Sequence, residues 1–164
     1  MGSGDGNGWV DCRCGHRHWG RFGAAGLMLL RDGAGPVEVL LQLRAEWTHL
    51  GGTWGLPGGA TDSHEDAEAA ALREAWEETG VHPTAVDVLS TTVSADHGDW
   101  RYTVVIGRAL DGAAPHAANA ETSAVRWVES ADVAALPLHP GLARSWPGLA
   151  YVVGRLADAG RLRG

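Results

Sequence analysis

One stretch constrains this chain more than any other: Gly59 to Val81, GATDSHEDAEAAALREAWEETGV. Pro57-Gly58-Gly59 before it is a turn signal, since proline fixes one dihedral and glycine permits unusual ones. Asp62 or Ser63 can cap a helix, and Glu65 and Asp66 favour its positive end. Alanine-rich sequence then runs unbroken to Thr79, with Gly80 as a stop. The expected helix spans about Ser63 to Thr79. At about 100° per residue, Ala69, Leu72, Ala75 and Trp76 share one side, expected to face a core.

Glu74, Glu77 and Glu78 fall on another arc of the same helix. Like charges at i, i+3 and i+4 repel and weaken a helix, unless something positive sits between them. Hard oxygen ligands grouped in this way suit Mg²⁺ or Mn²⁺ rather than zinc. Arg73 lies four residues before Glu77 and can pair with it.

Gly59, Glu65 and the run Arg73-Glu74-Ala75-Trp76-Glu77-Glu78-Thr79-Gly80-Val81 resemble the Nudix box at every defining position. The resemblance implies the Nudix fold, an α/β architecture with a mixed β-sheet in an α/β/α sandwich. It also implies divalent-metal-dependent hydrolysis of a nucleoside diphosphate linked to another group. Glu77 and Glu78 would be the main ligands of Mg²⁺ or Mn²⁺, with Glu74 as ligand or base and the Gly59 carbonyl as a further ligand. Arg73 would orient a glutamate. Glu65, roughly half a turn out of phase with Glu74, would hold helix and loop together. Glu121, six residues before Trp127, resembles a glutamate that serves MutT-like enzymes as metal ligand or base.

Marks of other subfamilies are missing. The region downstream of the box holds Asp96, His97 and Gly98 in place of the proline typical of ADP-ribose hydrolases. The tyrosine of diadenosine polyphosphate hydrolases is not in its place, and no NADH-diphosphatase array follows the box. The chain is therefore most similar to MutT-like pyrophosphohydrolases, which turn a nucleoside triphosphate, oxidised guanine nucleotides included, into monophosphate and pyrophosphate. The alternatives are an ADP-ribose or nucleotide-sugar pyrophosphatase and a nucleotide-binding regulator that does not cleave. Many relatives are dimers, so a homodimer is a possible assembly.

A net charge of −7 argues against non-specific nucleic-acid binding and against an anionic membrane surface. A bound metal still lets an acidic protein handle phosphates. No apolar run reaches membrane-spanning length, the first residues lack a signal-peptide pattern, and two cysteines imply no disulfide framework. A cytoplasmic location is the resulting expectation. At 164 residues, a single domain over residues 9–164 is expected, after a disordered Gly/Ser/Asp/Asn terminus at 1–8.

Strands are expected at Phe22–Leu30, Val37–Leu43, Ala85–Val93, Tyr102–Ala109 and Val125–Val128, the first two as a hairpin through a turn at 32–36. A short helix is expected from Ser130 to Leu136. A C-terminal helix over Gly141–Leu162 should break or start near Pro147. Arg44, after the second long strand, is either a substrate contact or a surface charge. Trp47 is either a stacking surface or a packed ring. In Asp11–Trp19, Cys12, Cys14, His16 and His18 are four soft-metal ligand types in seven residues. A single residue between ligands is awkward for one tetrahedral ion, so a strand or loop with alternating side chains is the expectation there.

Overall fold

A computed structural model describes residues 4–32 and 35–163. Gly33 and Ala34, in the expected turn at 32–36, and residues 1–3 lie outside the described residues. Two three-residue strands, β1 (Trp9–Asp11) and β2 (Arg17–Trp19), form an antiparallel hairpin of their own. A seven-stranded mixed sheet follows: β3 (Ala24–Arg31), β4 (Glu38–Arg44), β5 (Trp54–Gly55), β6 (Gly58–Ala60), β7 (Val86–Asp96), β8 (Arg101–Ala109) and β9 (Thr122–Glu129). Helix α1 (Ala67–Thr79) covers one face and α2 (Pro140–Asp158) the other.

The period of two in strand side chains builds both cores at once. Ala25, Leu27 and Leu29 of β3, Leu40 of β4 and Val105 of β8 face α1, where they meet Ala70, Ala71 and Ala75. The intervening Met28, Leu30, Val39, Leu41, Val104 and Ile106 face α2 and meet Leu142, Trp146, Leu149 and Val153. The alanines of α1 let its backbone lie close to the sheet, and the three- and four-residue spacing of the α2 set is one helical stripe.

Strands β3 and β4 pair only at their hairpin end, Leu30 with Val39 and Arg31 with Glu38. Beyond that they part. β6 takes the free flank of β3 and β5 that of β4. On its other side β3 pairs in parallel with β8, and β4 runs antiparallel to β9. A cleft opens where β3 and β4 diverge. Gly58 lies so close to β3 that a Cβ there would sit 2.4 Å from the Ala25 carbonyl oxygen. On the far side β7 ends the sheet, pairing with β8 alone, and its register shifts twice, between Val88 and Ser90 and between Val93 and Ala95.

Several expectations are corrected. Helix α1 starts at Ala67, because Asp66 is its cap and accepts from the Ala69 N–H at 2.8 Å. Asp62 is occupied elsewhere, accepting from the Gly6 N–H at 2.9 Å. The buried face of α1 is Ala70, Ala71, Ala75, Glu78 and Thr79. Ala69 is exposed and Trp76 is half out, its ring edge-on to His82. Helix α2 is unbroken through Pro147 and starts at Pro140, with the His139 ring accepting from the Gly141 N–H. Gly4–Gly8, expected as part of a disordered terminus, are tied down: Asp5 bonds Ser63, and the Arg21 N–H donates to the Gly6 carbonyl at 2.8 Å. The expected short helix is a 3-10 turn at Ser130–Ala135.

Candidate active site

The cleft between the splayed strands has a volume of about 610 Å³. Gly59, Glu74, Glu78, Glu121 and Arg44 all line it, although they come from β6, α1, the start of β9 and the end of β4. Arg73 and Glu77 are not among the lining residues.

Arg73 ties the helix to the preceding loop. Its guanidinium donates to Glu65 at 2.6 Å, to the Ala60 carbonyl at 3.1 Å and to Glu74 at 2.9 Å, and it stands 3.6 Å from Glu77. The i,i+4 pair read from spacing is thus the longest of these contacts. Glu65 also accepts from the Asp62 N–H at 3.0 Å, closing the loop onto the helix. Burial pushes the Glu65 carboxyl up, but the hydrogen bonds from Arg73 and Asp62 outweigh it and leave its pKa lowered. The Arg73 pKa is raised, first by its bond to Glu65.

Glu78 is the most unusual group. It is 6% exposed and has no cation within salt-bridge distance among the described residues. Burial, then the neighbouring Glu74, pushes its carboxyl up to about 8, against a 3.0 Å bond from the Gly58 N–H and a bond from the Gln42 side chain. Gln42 is itself buried and held by a 3.0 Å bond from the Thr122 hydroxyl. Glu74 is pushed up by burial too, and the charges of Glu77 and Glu121 add to this against Arg73. A Cβ at Gly59 would lie 2.6 Å from the Glu74 carboxyl carbon, so only glycine leaves room for this carboxylate against the loop backbone.

Buried carboxylates with raised pKa values are under-neutralised, and a cation among them repays their lost hydration. The donor set is all oxygen, which fits Mg²⁺ or Mn²⁺.

Beyond Trp47 and the polar loop that holds His97 and Trp100, the rest of the cleft was not found from sequence. Trp9, Arg17, His18 and Trp19 of the hairpin, His97 and Trp100 of the β7–β8 turn, and His139 and Arg144 of α2 line it together with Trp47. Trp47 is exposed. His139 is pushed down to about 4, by burial first and then by Arg44 and its neighbours, so it is neutral near pH 7. Only Gln42 carried a signal that could have been used: it is the single polar residue inside the apolar run Val39–Leu43.

The sequence model of the NUDIX domain family matches residues 20–149. The chain belongs to the NUDIX domain family. As a Nudix hydrolase it has close relatives. The Mycobacterium tuberculosis protein named "Putative 8-oxo-dGTP diphosphatase 3" is 49% identical over 152 residues, which span 87% of this chain and 68% of that one. RenU, a Nudix hydrolase from M. smegmatis, is 46% identical with a TM-score of 0.86, covering 92% of this chain and 97% of its own. A C. elegans Ap4A hydrolase shares the fold at a TM-score of 0.66 and 19% identity, over 80% of this chain and 98% of its own. The α/β sandwich read from the box is the observed architecture. Among the described residues no helix is long and apolar enough to cross a membrane.

Proposed function

We propose that this Nudix hydrolase uses Mg²⁺ or Mn²⁺ to hydrolyse a nucleoside triphosphate, oxidised guanine nucleotides such as 8-oxo-dGTP included, to the monophosphate and pyrophosphate. The observation that carries the reading is the pair of under-neutralised carboxylates, Glu74 and Glu78, on the wall of a nucleotide-sized cleft. The name of the 49%-identical mycobacterial relative supports the substrate class.

When bound, the divalent ion offsets the charge of the pyrophosphate oxygens and lowers the pKa of a coordinated water. Glu77, Glu78 and the Gly59 carbonyl would hold it, with Glu74 as a further ligand or as proton acceptor. The raised pKa of Glu74 suits it to take a proton from the attacking water. Glu121, whose charge bears on Glu74, serves as an additional ligand or as the base in its place. Arg73 keeps Glu74 and Glu77 in place through its bonds on both sides. Arg44 meets a substrate phosphate at the cleft wall. The aromatic residues Trp9, Trp19, Trp47 and Trp100 offer faces on which a base can stack. A homodimer and a cytoplasmic location belong to the same proposal.

The test is a product assay over canonical and oxidised nucleoside triphosphates, ADP-ribose, nucleotide sugars and dinucleotides, each with Mg²⁺ and with EDTA. Metal-dependent formation of a monophosphate and pyrophosphate from a triphosphate is expected. Preferential turnover of ADP-ribose or a nucleotide sugar would reject the substrate assignment, and tight nucleotide binding without product would reject catalysis.

A further inference from the structure

The segment between β1 and β2 does not behave as a simple alternating strand. Cys12 leaves β1 and the chain turns back at once. The Gly15 N–H donates to the Cys12 carbonyl at 3.0 Å, and the Cys12 N–H to the His16 carbonyl at 3.0 Å. Gly15 takes φ +89° to complete this turn. The reversal removes the objection raised by the one-residue spacing, because Cys12 and Cys14 no longer sit on an extended chain. Their sulfurs and a ring nitrogen of His18 lie within 4.8 Å of one another. Cys14 Sγ is 3.2 Å from His18 Nε2 and 4.0 Å from His16 Nδ1.

Tetrahedral zinc with bonds of about 2.3 Å to sulfur and about 2.0 Å to nitrogen needs S···S separations of about 3.8 Å and S···N separations of about 3.5 Å. The Cys14–His18 edge is already close to this at 3.2 Å, and the other two lie within 4.8 Å. The Cys14 N–H donates to Cys12 Sγ at 3.4 Å, so a backbone donor already faces that sulfur. The His18 ring is stacked on His97 and on Trp100, each at 4.5 Å between centroids, which fixes its plane.

We propose that Cys12, Cys14 and His18 bind one Zn²⁺ ion that staples the β1–β2 hairpin, with a fourth position beside His16. Two thiolates and an imidazole select a soft ion, so this site and the all-oxygen site on α1 take different metals. The hairpin needs such a staple. Two strands of three residues each are marginal alone, and the hairpin meets the body through side-chain contacts, not a shared ladder: Arg13 with Asp99 at 2.9 Å, the Cys12 thiol to the His97 carbonyl at 3.4 Å, the Trp100 Nε1–H to the Trp19 carbonyl at 3.1 Å and the His18 stack. Trp9, Arg17, His18 and Trp19 form one wall of the cleft. Zinc would therefore hold a substrate-facing wall in place without touching the reaction.

The experiment compares the full-length protein with Cys14→Ser and Glu78→Gln. Each is purified under reducing conditions, dialysed against Mg²⁺ buffer and analysed for metal by plasma mass spectrometry. The wild type and Glu78→Gln should hold about one zinc per chain and Cys14→Ser almost none. Cobalt reconstitution should give a thiolate-to-cobalt charge-transfer band in the wild type, a readout that stands even if Cys14→Ser folds poorly. Trypsin should cut after Arg13 and Arg17 faster once zinc is removed. A wild-type protein with no zinc, no cobalt–thiolate band and two freely titrating thiols overturns the proposal. So does zinc that stays in Cys14→Ser and leaves Glu78→Gln.

Discussion

Replacing Glu78 by glutamine tests the electrostatics of the site apart from its catalysis. In the unfolded chain this carboxyl titrates near its ordinary value of 4.5, and in the folded, metal-free protein burial pushes it up to about 8. Between those values the folded state keeps a proton that the unfolded state has released. Stability of the metal-free protein therefore falls as pH rises through this window, with no loss below it and no further loss above it. One pKa unit is about 1.4 kcal/mol. Between about pH 5.5 and about pH 8.5 the Glu78 contribution falls by about 3 kcal/mol. Glutamine keeps an acceptor for the Gly58 N–H but has no such titration, and any packing cost it brings does not vary with pH. The gap between the two proteins should thus shift by about 3 kcal/mol in favour of Glu78→Gln as pH rises. For a chain of this size that is roughly 6 to 12 °C in Tm. The assay is urea unfolding in EDTA across that range, repeated with saturating Mg²⁺. Added Mg²⁺ should stabilise the wild type most at the alkaline end, since a ligand bound only by the native state adds stability. Parallel pH profiles for the two proteins in EDTA would refute the buried, uncompensated charge.

Four further outcomes are expected. Glu77→Gln should lower kcat about 100-fold or more through loss of a metal-held carboxylate while circular dichroism stays unchanged; steady-state kinetics with Mg²⁺ checks this. Arg44→Ala should raise KM about tenfold with little change in kcat, as loss of a phosphate contact made equally in ground and transition states. Arg73→Lys keeps the charge but cannot bridge Glu65, Ala60 and Glu74 together, so Tm and kcat should both fall. Gly58→Ala must push against the Ala25 carbonyl and should cost about 1 to 3 kcal/mol in urea unfolding.

How much of this could be read beforehand differs from element to element. The carboxylate helix was legible because its signal is local: spacing along one helix, a turn before it and a glycine after it. Even so, its phase was misjudged. Trp76 is the largest apolar residue on α1, and hydrophobicity alone would bury it, yet the close approach of α1 to the sheet admits only the alanines Ala70, Ala71 and Ala75. The start of the helix slipped by several residues because Asp62 and Ser63, both good capping types, are engaged by the N-terminal segment, Asp62 accepting from the Gly6 N–H and the Ser63 N–H donating to Asp5. The cleft was not legible in full, since it is assembled by long-range pairing. Nothing near His139 or Trp9 announces that the divergence of β3 and β4 will bring them to one opening. The cysteine–histidine run shows a related limit: the one-residue spacing argues against a single tetrahedral ion only on an extended chain, and the turn at Gly15 changes that geometry.

The two register shifts in β7 have a consequence for how the protein behaves in a crowded solution. An eleven-residue strand at the rim of a sheet offers a row of unpaired backbone groups, a template on which another chain can add. Each bulge interrupts that row and sharpens the local twist, so no long straight stretch is presented. In the middle of this edge the protection comes from irregular backbone, since Val93 is 50% exposed and the charged residues of β7, Asp87 and Asp96, lie towards its ends. Deleting one residue at the shift between Val88 and Ser90, the one away from the cleft-lining Ser94 and Ala95, to restore a regular ladder would turn this flank into a surface prone to self-association.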